Sequence, residues 1–176
     1  MIARTTRLGV LAAVAALALT GCATGTSASS DEAVSAAADV VTVSDAWVKA
    51  ADEGMTGAFA ELENDGSADV TVVAASTDAA AMVELHETAM GDDGEMAMSE
   101  VDGGFVVTAG GTHVLEPGAD HIMLMSLTGP LAAGDEVTIT LTFSDESTLE
   151  FTAPVKDFSG ANENYDEGED DMEMDE

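Results

Sequence analysis

The sequence predicts an all-β protein, an antiparallel β-sandwich, and three observations predict it. Short runs rich in β-branched residues recur from Val40 to Ala153. Gly, Pro or Asp punctuates nearly every join between them, as at Gly103-Gly104, Gly110-Gly111, Pro117-Gly118 and Gly134-Asp135. No segment of that region carries a convincing helical period beyond one turn's worth, Ala79 to Met82. Many short strands at such spacing are the signature of a sandwich rather than of a βαβ fold.

The 176 residues leave room for one ordinary domain plus appendages. Residues 1–21 read as an export signal, with Arg4 and Arg7 ahead of an apolar run from Leu8 to Leu19. That run is shorter than the roughly 20 residues a membrane-spanning helix needs. It ends in L-T-G-C, which resembles the bacterial lipoprotein cleavage box. The resemblance implies that Cys22 becomes a lipid-bearing N-terminus, which would tether the protein to the cell membrane on its extracytoplasmic side without embedding it. Residues 22–38, mostly Ala, Ser, Thr and Gly, hold too little apolar surface to offset ordering entropy and read as a flexible tether.

The domain is expected over residues 39–157. V-V-T-V-S-D-A-W-V opens it as a strand, with Trp47 as the expected core anchor. G-A-F-A-E-L-E-N follows, then the Asp65-Gly66 turn signal and V-T-V-V-A-A. The remaining runs are V-E-L-H, E-M-A-M-S-E-V, F-V-V-T, T-H-V-L, H-I-M-L-M-S-L, V-T-I-T-L-T-F and T-L-E-F-T-A. Residues 158–176 are acid-rich and lack any base, which predicts a disordered tail; Met172 and Met174 lie inside it.

The formal net charge is −31, and loss of the signal would leave Lys49 and Lys156 as the only bases. So acidic a surface repels phosphates and anionic headgroups, so neither nucleic acid nor a membrane beyond the lipid anchor is expected as a direct partner. One cysteine permits no internal disulfide and no cysteine-ligated blue-copper site within the domain. His86-Glu87 lacks the second histidine of H-E-x-x-H, and no Ser/His/Asp spacing stands out, so no enzyme is expected.

Between His86 and Met125 lie all three histidines, of which His86 and His121 stand out together with Met90, Met96, Met98, Met123 and Met125. Imidazole and thioether form a soft, neutral donor set that suits Cu(I). Residues two apart on a strand share a face, so His121, Met123 and Met125 project together and Ile122 and Leu124 oppose them. By the same parity Glu84, His86 and Thr88 share one face, and Met96 and Met98 another; parity does not choose between those two methionines. Three such strand ends meeting at one rim would assemble two His and two Met. Singly, each Met is better read as a core filler and each His as a surface residue; the combination shifts the balance. His113 falls outside the pattern and reads as an ordinary strand residue.

W-V-K-A, V-E-L-H-E, M-S-E-V, L-E-P-G-A-D-H-I-M-L-M-S-L and G-D-E-V-T-I-T-L-T-F together resemble the PCuAC family of copper chaperones, over about Val41 to Pro154. The resemblance implies a cupredoxin-like, Greek-key β-sandwich and one Cu(I) held by His86, Met98, His121 and Met123. Met90, Met96 and Met125 are further thioethers near that set. It also implies transfer to a copper-accepting protein, either a cytochrome c oxidase subunit with a binuclear copper centre or another copper chaperone. The His86–Met98 segment is one residue longer than the family pattern, and the loop Gly91 to Gly94 is the expected place for the insertion. Copper scavenging or resistance, and a metal-free envelope scaffold, are the competing readings.

Overall fold

The computed structural model describes residues 35–90, 96–160 and 164–165. The export signal, Cys22, most of the tether, the loop 91–95 and the Met172/Met174 segment lie outside the described residues. A single helical turn, α1 (Ala37–Val40), leads into β1 (Val41–Lys49), β2 (Met55–Asn64), β3 (Val70–Ser76) and β4 (Ala80–Met90). After these come β5 (Met96–Glu100), β6 (Phe105–Val107), β7 (Thr112–Leu115), β8 (His121–Leu127), β9 (Glu136–Phe143) and β10 (Thr148–Lys156). A two-residue β11 (Asn164–Tyr165) closes the series. Among the described residues no helix is long and apolar enough to cross a membrane.

The all-β expectation holds. Strands β5-β4-β8-β2-β1 run side by side, with β7 also on β2, and β10-β9-β3-β6 form the facing half. The ladders are antiparallel except for β1 on β10 and β11 on β5. Between the halves lies one core, in which Leu85, Ile122, Leu124 and Leu62 meet Phe105, Ile139, Leu141 and Phe143. Each such side chain contributes about 1.5–3 kcal/mol by leaving water. Gly104, at φ +84°, lies where a Cβ would run into the Val72 carbonyl, so this turn requires glycine. Asn64, fully buried, donates to Ala68 O and Val107 O and accepts from the Gly66 N–H, so it fixes the Asp65-Gly66 turn.

Four local expectations need correction. Trp47 is not in the core. The ladder between β1 and β2 slips between Ser44 and Trp47, and Asp45 adopts φ 50° there. This β-bulge inserts a residue and flips the alternation, so Val48 faces the core and Trp47 the opposite side. Ala79 to Met82 form no helical turn: Ala80 and Met82 pair with Leu127 and Met125 in β4, and the ladder overrides alanine's helix preference.

The tether ends earlier than expected, because Ala37 is buried and its N–H donates to Asp145 at 2.8 Å. Ser147 and that amide hold the Asp145 carboxyl below the usual carboxylate range. The folded chain also runs beyond Asp157. Phe158 packs edge-on against Trp47 at 5.3 Å, Lys49 donates to Gly160 O at 2.6 Å, and β11 pairs with β5.

Candidate metal centre

Strand parity places the His/Met residues on the face of β5-β4-β8-β2-β1 that points away from the core. In β8, Ile122 and Leu124 belong to the core, whereas Met123 and Met125 join Met98 in a separate buried cluster. Val83 and Leu85 of β4 likewise pack inward, which turns Glu84 and His86 outward. The predicted faces are therefore those observed. His121 opens β8 and Met98 pairs one same-face step beyond it along β4, so the residues gather where β8 begins.

The cross-strand register brings them together. His86 is opposite His121, Glu84 is opposite Met123, and Gly57 of β2 flanks Met123 on the other side. The two imidazoles stand 5.7 Å apart, ring centre to ring centre, at 68°. A metal–imidazole nitrogen bond is about 2.0–2.1 Å, so two rings sharing one ion would have their centres separated by about this distance. Met98 pairs with Thr88, one same-face position along β4 from His86. Met96 pairs instead with Met90, and both are largely exposed, at 48% and 71%. Of the two methionines that parity left open, the structure gathers Met98 with the others and leaves Met96 and Met90 outside. Met125 lies within the cluster, and His113 lies elsewhere, stacked on Phe105 and 2.9 Å from Asp120.

Both central histidines are buried, His86 completely. His121 Nδ1–H donates to the Ala119 carbonyl at 2.8 Å, so its Nε2 carries the lone pair. His86 Nε2–H donates to Glu84 Oε2, also at 2.8 Å, which leaves the lone pair on Nδ1. Carboxylate–histidine pairs of this type fix ring orientation and raise donor strength. Glu84 was missed as a functional residue; the E-x-H spacing, which puts both on one face, was the available signal. Among the described residues no group of three or more His, Cys, Asp and Glu is placed to share a metal ion. Met98 and Met123 line the same cleft as His121, and a donor set of imidazole and thioether favours a soft ion.

A cleft of about 300 Å³ opens onto the cluster, lined by Lys49, Phe59, Met98, Pro117, His121 and Met123 among others. Phe59 stands 6.1 Å from the His121 ring and 4.5 Å from Trp47, so the aromatic residues wall one side. Glu84→Leu keeps the bulk but removes the acceptor. It is expected to weaken metal binding about 10–100-fold, the cost usual for losing such a supporting group. Affinity measured by chelator competition checks this.

Comparison with known proteins agrees with this architecture. Residues 41–155 match the family described as "Putative lipoprotein LpqE-like". The "Putative lipoprotein Lxx21020" of Leifsonia xyli subsp. xyli (strain CTCB07) is 51% identical over 164 residues, covering 92% of this chain and 98% of that protein. The solution structure of Cu(I)-DR1885 from Deinococcus radiodurans is 31% identical, covers 71% of this chain and 85% of that one, and superposes with a TM-score of 0.53. The apo PCuAC domain of PmoF1, at 18% identity, covers 67% of this chain and 94% of that domain, with a TM-score of 0.57, and shares the fold. The resemblance drawn from the sequence motifs thus holds: the domain is a PCuAC-type β-sandwich, and the chain belongs to the LpqE-like family.

Proposed function

We propose that this protein is an extracytoplasmic, lipid-anchored Cu(I) chaperone that binds one ion through His86, Met98, His121 and Met123 and passes it to an acceptor. The observation that carries the reading is the pair of buried imidazoles 5.7 Å apart beside a buried methionine cluster, on a sheet face outside the hydrophobic core. The Cu(I) form of DR1885, with its similar chain, supports copper as the cargo.

The chemistry is ligand exchange, not catalysis. Two imidazoles and two thioethers carry no charge, so Cu(I) is held by donors that an acceptor's own ligands can replace one at a time. Thioethers need no deprotonation, so acid weakens binding only through the two histidines. Glu84 supplies a negative charge on the His86 ring without serving as a ligand. Copper held by neutral donors under a cleft stays accessible to a docking partner. The acceptor we favour is a cytochrome c oxidase subunit with a binuclear copper centre. The test is to mix the Cu(I)-loaded protein with a soluble, copper-free form of that subunit domain and follow copper after separating the two. Transfer to the domain is expected; retention of copper under conditions where the domain binds free Cu(I) would favour scavenging.

The anchor reading rests on L-T-G-C and on the lipoprotein name of the similar chain. Cys22→Ser is expected to release the protein from the membrane fraction while leaving the copper stoichiometry unchanged. Persistence in the membrane fraction would count against lipidation at Cys22.

A further inference from the structure

Beside the proposed centre, the same sheet face carries a second sulfur array. Met55 of β2 is opposite Met125 of β8, and Met125 is opposite Met82 of β4. Three methionines therefore stand in one row across three adjacent strands, and direct cross-strand neighbours have Cβ atoms about 4.5–5.5 Å apart. This row lies two residues along β8 from Met123, or about 7 Å. Met55 and Met82 are exposed at 44% and 49%, while Met125 is buried against Met98 and Met123. Met55 also lines the cleft that reaches His121 and Met123.

A single half-exposed methionine is ordinary surface. Three in register, one of them touching the buried cluster, make a continuous thioether path from solvent to the centre. We propose that Met55, Met82 and Met125 form a second, weaker Cu(I) site, a port through which copper enters or leaves the His/Met centre. This goes beyond the chaperone reading and rests on it for the destination of the ion. Three thioethers without imidazole remain selective for a soft monovalent ion but bind it less strongly than the mixed set. Passage along the path replaces one Cu–S bond by another; copper stays Cu(I) and no proton moves.

The test titrates the full mature chain, carrying methyl-labelled methionine, with Cu(I) buffered by a chromophoric chelator. About two equivalents are expected, the first moving the Met98 and Met123 methyl signals and the second moving Met55, Met82 and Met125. Met55→Leu/Met82→Leu should lose the weaker equivalent and keep the tighter one. Both positions are half-exposed, and the wild-type methyl signals decide the question even if that variant folds poorly. His121→Ala separates the two readings, because it should remove the tighter equivalent and leave the Met55 and Met82 response in place. Saturation at about one equivalent with the Met55 and Met82 signals unmoved would overturn the port. So would a second equivalent that moves only Met90, Met96, Met172 or Met174.

Discussion

His121→Ala is expected to reduce Cu(I) affinity by more than about 100-fold, since loss of a mere supporting group already costs about 10–100-fold. His121 is the first residue of β8, and its ring is held by the Ala119 carbonyl so that the lone-pair nitrogen belongs to Nε2. Alanine removes that nitrogen and also leaves His86 without the opposing imidazole 5.7 Å away. The ring is buried, so some loss of stability is expected as well. Thermal unfolding of the metal-free variant measures that loss separately from affinity by chelator competition. A stable variant that still binds Cu(I) like the wild type would remove His121 from the centre.

Met98→Leu is expected to weaken Cu(I) binding by at least about tenfold, or about 1.4 kcal/mol, while Met96→Leu leaves it nearly unchanged. Leucine preserves volume and apolarity, and such swaps usually cost less than about 1.5 kcal/mol of stability. Met98 is 6% exposed within the methionine cluster, whereas Met96 is 48% exposed beyond it. Adding a residue within β5 would move Met98 to the other face; the observed register keeps it beside Met123. Chelator competition on both variants checks the assignment. A large loss in Met96→Leu with Met98→Leu near wild type would reverse it.

The faces of β4 and β8 were legible because period-two alternation is a local property. V-E-L-H and H-I-M-L-M already sort Leu85, Ile122 and Leu124 from His86, Met123 and Met125. Which strands lie side by side is not local, so alternation alone could not select Met98 over Met96, a choice that came only from the family resemblance, nor reveal that Met55 and Met82 share a row with Met125. Trp47 reads as a core anchor from its size and aromaticity, but a bulge at Asp45 shifts the alternation and turns it to the face opposite Val48. The strap after Lys156 was missed because one aromatic, Phe158, has no periodic partner; it is placed by Trp47, distant in sequence. Glu84 reads from sequence as one acid among 35, and its role depends on a hydrogen bond to a buried ring.

The most direct measurement is competition between Cu(I) and Zn(II) for the purified domain under reducing conditions. A soft His/Met set should bind about one Cu(I) tightly and yield none of it to a large excess of Zn(II), because thioethers are poor ligands for the harder ion. Comparable affinity for the two metals, or no Cu(I) binding against a chelator of moderate strength, would contradict a copper centre on this sheet face.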